Sequence, residues 1–490
     1  MNKKRLPKST YPNRYEIELD VDLDNFSYTG AQKVDLNVVE ATNNIVLNSV
    51  GIEVTKAKIQ TTKQDIPLKV NYIEEDEKIV FESQETLSEG VYELYLEFNS
   101  EITNDLKGFY KSSYMSEDGE KKWIATTQFE PTAARSAFPC WDEPEYKAIF
   151  SMTIITDEKY LRVSNEMVVE EEKVENNKLR TKFADSMKMS SYLVAFVIGD
   201  LEATVVGKSK TTDIRIIHRP GFSHQTSYAG TAAIKLLDFF EDYYKIPYPG
   251  TKLDLIAIPD FAMGAMENVG AVTFRENLLL FDKDKATRSE LDRSITVIAH
   301  ELAHMWFGDL VTMKWWDGIW LNEAFASLME VIASYNTYPE FKQWNAMNMS
   351  RTAGFSIDSL ENSRPVEFDV ETPDQAEEMF DVLTYEKGST VLRMFQMFIG
   401  EEAFQNGVEA YLNKFKFENT NSSDLWDALS EASNQPLNKI LPFWIREKGY
   451  PFLQVGCSNN FLTIKQKPFL LKNVDTDKNN IKPVPVQIKF

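Results

Sequence analysis

From Tyr15 to about Gly199 the chain alternates apolar and polar residues in short runs, "YEIELDVDL", "KVDLNVV", "KIVFES" and "VYELYLEF", broken by Gly, Asn and Asp. Period-two alternation puts every second side chain on one face of a strand, so residues 1–199 are predicted to form an all-β domain. The run "SSYLVAFVIGDLEATVV" closes it. Beyond it, "SYAGTAAIKLLDFFEDYYKI" spaces its apolar residues as an amphipathic helix does, and a second, helix-rich domain is expected over 200–446. Within that domain "KLDLIAIPDF" reads as a strand, and "SELDRSITVIAHELAHMWFG" as a helix with Ser289 as N-cap and Gly308 as its stop. "EAFASLMEVIASYN", "TYEKGSTVLRMFQMFIG", "EEAFQNGVEAYLNKF" and "SDLWDALSEAS" add further helices. Alternation returns in "FLQVGCS", "FLTIKQKPFLL" and "PVPVQIKF", so 447–490 are read as three strands of an incomplete C-terminal β-sandwich. The fold class is multidomain α+β.

Composition removes some functions. With 43% apolar residues in 490, the chain can bury large cores, but its net charge of −22 leaves no excess of the basic groups that nucleic acid and anionic membranes attract. The two cysteines, Cys140 and Cys457, lie far apart and outside any C-x-x-C spacing, so both read as reduced and structural. The opening "MNKKRLPKSTYPNRYEIELD" lacks the apolar stretch of a signal peptide, and no run of 18 apolar residues follows. A cytoplasmic chain without membrane or nucleic-acid partners is expected.

Only four histidines occur, yet two stand four apart in "HELAH", His300 and His304 with Glu301 between them. Residues i and i+4 share a helix face, so two imidazoles can meet one point, two of the three protein ligands of a catalytic zinc site. The third ligand must come from another element, and Glu323 in "WLNEAFASLMEV" is the candidate. The competing reading is a pair of core histidines bonded to backbone carbonyls, which strands Glu301 as a charge without a partner. Zinc lowers the pKa of bound water to about 7, and a carboxylate beside that water can act as general base.

The His-Glu-x-x-His spacing, the eighteen residues before Glu323 and "GAMEN" at Gly264 to Asn268 together resemble the M1 family of zinc aminopeptidases, gluzincins of the aminopeptidase N type. "TQFEPTAARSAFPCWDEP", "KMSSYLVAFVIGDL", "WWDGIWLNEAFA" and "TYEKGSTVLRM" extend the resemblance over nearly the whole chain. It implies a thermolysin-like catalytic domain with one Zn2+ held by His300, His304 and Glu323, and Glu301 as general base. It implies that Tyr385 donates to the oxyanion of the tetrahedral intermediate and that Glu330, two turns beyond Glu323, orients a ligand histidine. Glu130 and Glu267, with Gln128 close by, would hold the substrate's α-ammonium. The backbone of Gly264, Ala265, Met266, Glu267 and Asn268 would pair with an extended peptide, and Met263 would line the pocket for its first side chain. The implied activity is hydrolysis of the N-terminal peptide bond of peptides with a free amine, with broad specificity.

Val269, Gly318, Ala324 and Arg364 depart from the commoner family residues without removing a ligand or a reacting group. Family members usually continue through a complete sandwich and a large helical domain, so association with a missing C-terminal portion is a further expectation. Two other readings stay open: an inert or peptide-binding fragment, and the epoxide hydrolysis of one branch of the same family.

Overall fold

The computed structural model describes residues 5–61, 64–459, 461–472 and 482–486. Thr10–Asp22 shows how the alternation becomes structure. Tyr15, Ile17, Leu19 and Val21 are at most 1% exposed, while Glu16, Glu18 and Asp20 stand on the wetter face. A slip of one residue would exchange the two faces, so the pattern sets the register. This strand pairs antiparallel with Ser27–Val38 and parallel with Ile149–Asp157 inside a ten-stranded sheet. A four-stranded sheet contains Lys121–Gln128, which delivers Gln128 and then Glu130 to the edge of the next layer.

Past Gly199 the chain does not turn helical at once. Glu202–Ser209 and Thr212–His218 open a five-stranded sheet, and the first α-helix among the described residues is Ser227–Tyr244. Thr212–His218 pairs in parallel with Lys252–Ile258, a partner beyond that helix, and local periodicity carries no trace of such pairing. The sheet ends in the two-residue strand Ala265–Met266, which among the described residues pairs on one side only, to Ala271–Arg275.

The helix bearing "HELAH" runs Arg288–His304. Its N-cap is Thr287, not Ser289: Glu290 N donates to Thr287 Oγ1 at 3.3 Å and Thr287 N donates to Glu290 Oε2 at 2.7 Å, a reciprocal box that satisfies two end donors. The helix also stops four residues before Gly308. Gly308 instead shapes the turn that follows. At its φ of +131° a Cβ would stand 3.3 Å from both His304 Nδ1 and Asn322 Nδ2, so glycine keeps the turn close beneath the histidine. Trp320–Thr337 packs against this helix, and Gln343–Asp358 and Leu437–Ile445 are helices that the sequence pattern did not suggest. In Gln343–Asp358 only Gln343, Gly354 and Asp358 are buried, so it has almost no apolar stripe to read.

Tyr450–Ser458 and Phe461–Phe469 form an antiparallel hairpin. The third expected strand is not found in Lys482–Val486, and residues 487–490 lie outside the described ones. Cys140 is buried, as a structural thiol should be, but Cys457 is exposed on the hairpin. Among the described residues no helix is long and apolar enough to cross a membrane.

Candidate active site

His300 and His304 lie one turn apart, and Glu323 reaches them from the first turn of Trp320–Thr337. Glu323 Oε2 is 3.2 Å from His300 Nε2 and 3.4 Å from His304 Nε2. The other ring nitrogens are taken. His300 Nδ1 meets Glu330 Oε2 at 2.8 Å and His304 Nδ1 meets the Phe307 carbonyl oxygen at 2.9 Å. Both partners only accept, so each Nδ1 donates and each Nε2 is left facing the Glu323 carboxylate. Once both Nε2 atoms give up their protons, two lone pairs and a carboxylate converge on one point and offer a site for a cation. Ligands of a tetrahedral zinc with bonds of about 2.0–2.1 Å stand about 3.3 Å apart, close to both Glu323–imidazole spacings, so the donor set fits zinc.

The electrostatics couple these groups. Burial alone would lift the Glu323 carboxyl, but His304 and His300 pull it down to about 2. Burial opposes charge on His304, yet Glu267 and Glu323 raise it to about 10. The carboxylate and the imidazoliums each favour the other's charged form, so a bound cation would take the place of the Nε2 protons. Glu301, only 5% exposed on the same helix, is lifted by burial to about 8 against the pull of His300 and His304.

These groups line a cleft of about 620 Å³, a size suited to a small ligand or a few residues of peptide. Gln128, Glu130, Met263, Gly264, Ala265, Met266, Glu267, Glu330 and Tyr385 line it as well. Asn268 does not: it is 1% exposed, and its amide donates to Thr273 Oγ1 at 3.3 Å and Ala271 O at 3.5 Å, holding the turn under the edge strand. Carboxylate oxygens of Glu130, Glu267 and Glu323 lie within 4.8 Å of one another. Among the described residues no donor reaches Gln128 Oε1, Glu130 Oε1 or Glu267 Oε1, although all three are buried. Orphaned buried acceptors are costly, and this group asks for a cationic donor from outside.

Tyr385 enters from a wide π turn, Leu383–Lys387, with its ring 6.0 Å from that of His300. Gly388 lets this turn close on the Trp320–Thr337 helix, since a Cβ there would lie 2.5 Å from the Ala324 Cβ. The remaining histidines serve elsewhere: His218 bonds Thr204 Oγ1 and the Arg219 carbonyl, each at 2.8 Å, and His224 is exposed. The sequence reading missed Lys107 and Glu377, which line the cleft and form an ion pair across it, and also Arg293 and Phe380 in its wall. Lys107 and Glu377 are 270 residues apart, so no local signal could have joined them.

Comparison with known proteins gives the family. The Peptidase M1 N-terminal domain model matches residues 11–193, and the Peptidase family M1 domain model matches 228–444. The chain is 41% identical over 485 residues to Aminopeptidase M1 of Arabidopsis thaliana, covering 98% of this chain and 55% of that protein. It is 37% identical over 492 residues to Puromycin-sensitive aminopeptidase of Caenorhabditis elegans (99% and 52%) and 34% over 501 residues to Endoplasmic reticulum aminopeptidase 1 of Rattus norvegicus (96% and 54%). The chain thus spans about half the length of these relatives. Gln128 and Glu130 fall inside the first matched segment, and His300, His304, Glu301, Glu323 and Tyr385 inside the second, so both walls of the cleft come from regions of one family and the chain belongs to peptidase family M1.

Proposed function

We propose that the chain carries the catalytic machinery of a zinc-dependent aminopeptidase that removes N-terminal residues from peptides. One observation carries this reading. The cation-seeking set of His300, His304 and Glu323 and the orphaned acceptors of Glu130 and Glu267 adjoin in one cleft, with Glu323 within 4.8 Å of both glutamates. An α-ammonium bound by Glu130 and Glu267 therefore lies about one residue from the metal position, and only the first peptide bond comes within reach.

When bound, zinc supplies a Lewis acid and an acidified water. His300, His304 and Glu323 would hold it, with Glu330 and the Phe307 carbonyl keeping the imidazoles in the tautomer that offers Nε2. Glu301 takes the proton of the attacking water and returns it to the leaving amine. Tyr385 donates its hydroxyl to the carbonyl oxygen as that oxygen gains charge. The edge strand Ala265–Met266 has one free side, which supports pairing with an extended peptide. Catalytic groups on 200–446, an amine anchor from 1–199 and a third segment over 447–490 remain our division of the chain. The two free thiols are in keeping with the cytoplasm.

The test is a panel of aminoacyl anilides and peptides with free and acetylated N-termini, together with metal analysis of the purified chain. Cleavage of the free substrates and near-abolition on acetylation are expected, because acetylation removes the charge that Glu130 and Glu267 bind. Equal rates on both forms would mean an endopeptidase, and bound zinc without turnover an inert scaffold.

Met263, 50% exposed in the cleft wall before Gly264, is proposed to line the pocket for the first side chain. A flexible thioether suits varied shapes. Met263→Ala is expected to reorder the preference among N-terminal residues in the same panel. An unchanged ranking would place that pocket elsewhere.

A further inference from the structure

Tyr385 sits on a π turn, a conformation that neighbouring groups usually have to support. Two ion pairs flank it. On the N-terminal side Asp381 Oδ1 accepts from Leu383 N at 2.9 Å and Thr384 N at 3.1 Å, and also from Arg364 Nη2 at 2.5 Å. The same Nη2 donates to Thr384 Oγ1 at 3.1 Å and to the Met379 carbonyl at 3.3 Å, while Nη1 donates to the Pro365 carbonyl at 2.7 Å. One guanidinium thus joins its own loop to the cap of the turn and to the side chain of the residue before Tyr385. On the C-terminal side the buried Lys387 Nζ binds Asp358 Oδ1 at 3.0 Å and Oδ2 at 2.9 Å. The Tyr385 amide, between the two, donates to the Asp381 carbonyl at 3.1 Å.

We propose that Arg364, acting through Asp381 and Thr384, is a positioning residue that sets the hydroxyl of Tyr385 in the cleft. The proposal rests on the aminopeptidase reading. Arg364 does not line the cleft, and its side chain is 22% exposed, so its contacts are shielded enough to direct the turn and too remote to meet the substrate. The role needs the planar fork of arginine: Nη2 reaches Asp381, Thr384 and the Met379 carbonyl while Nη1 reaches the Pro365 and Val366 carbonyls, and a single lysine ammonium cannot serve both sets at once. Without the guanidinium the turn loses the group that fixes its cap, and the phenol shifts relative to the reacting carbonyl. A displacement near 1 Å at a reacting group costs up to about 100-fold in rate.

The experiment compares Arg364→Ala, Arg364→Lys, Tyr385→Phe and the double variant Arg364→Ala with Tyr385→Phe, all in the full chain and checked for folding and zinc content. Arg364→Ala is expected to lower kcat about 10- to 100-fold, with KM within about twofold and zinc unchanged. Arg364→Lys should fall between Arg364→Ala and the native chain. In the Tyr385→Phe background the loss should shrink to within about twofold, since the hydroxyl being positioned is already gone. Equal losses in both backgrounds would overturn the proposal, as would native kcat in Arg364→Ala. Tyr385→Phe with native kcat would overturn the role of Tyr385 itself, whereas a damaged Tyr385→Phe beside an unaffected Arg364→Ala would remove the clamp alone. Amide exchange across residues 381–387 needs no turnover. It should quicken in Arg364→Ala, and unchanged exchange there would likewise overturn the clamp.

Discussion

Glu301→Gln is expected to keep its zinc and lose turnover by about 10² to 10⁴, the usual cost of removing a general base. Glutamine has nearly the shape of glutamate and can fill the same buried place beside His300 and His304, but its amide cannot take a proton from water. The substitution also removes a buried carboxylate from a cluster that already holds Glu130, Glu267 and Glu323, so the fold has no reason to suffer. Metal analysis and kcat on the same preparation decide it. Zinc at the native level with kcat near native would exclude Glu301 as the base.

His304→Ala should fail in a different way, by losing metal and activity together. Its Nε2 is one of three donors, and the two that remain, His300 and Glu323, no longer surround an ion. The stability readout is independent of turnover. A ligand that binds only the folded chain stabilises it by about 2.7 kcal/mol at 100 times its Kd, so added zinc should raise the unfolding temperature of the metal-stripped native chain and leave His304→Ala unmoved. Full zinc occupancy in His304→Ala would undo the ligand assignment.

Much of the site is legible locally because helix geometry converts spacing into proximity. His300, Glu301 and His304 needed only a helix to be brought together, and that helix announces itself by its apolar stripe, although Gly308, read as its stop, lies four residues past its end. Its start was misplaced by two residues because Ser289 is a competent cap in isolation, and the reciprocal bonding of Thr287 and Glu290 decided the matter. The strands of the first domain were legible for the same kind of reason: with one face buried, alternation marks both the element and its inward side. Thr212–His218 was not, since it finds its partner beyond a helix.

By itself, then, the sequence determined the class of each long periodic element, the mixed α and β make-up, and the helical placement of two imidazoles and a carboxylate on neighbouring turns. Those follow from side-chain periodicity and backbone geometry, which are local. The tertiary structure decided everything that depends on separate elements meeting. Glu323 faces the two Nε2 atoms because two helices pack together, and Glu130 comes beside Glu267 because the end of a first-domain strand abuts the edge of another sheet. Asn268 turned inward, Lys107 crossed to Glu377, and Arg364, in sequence only a departure from a family habit, came to hold the turn under Tyr385. Each is a contact between residues whose separation along the chain, or whose direction within a turn, no periodicity encodes. Such contacts appear only when burial of apolar faces brings the elements together and the polar groups between them must find partners.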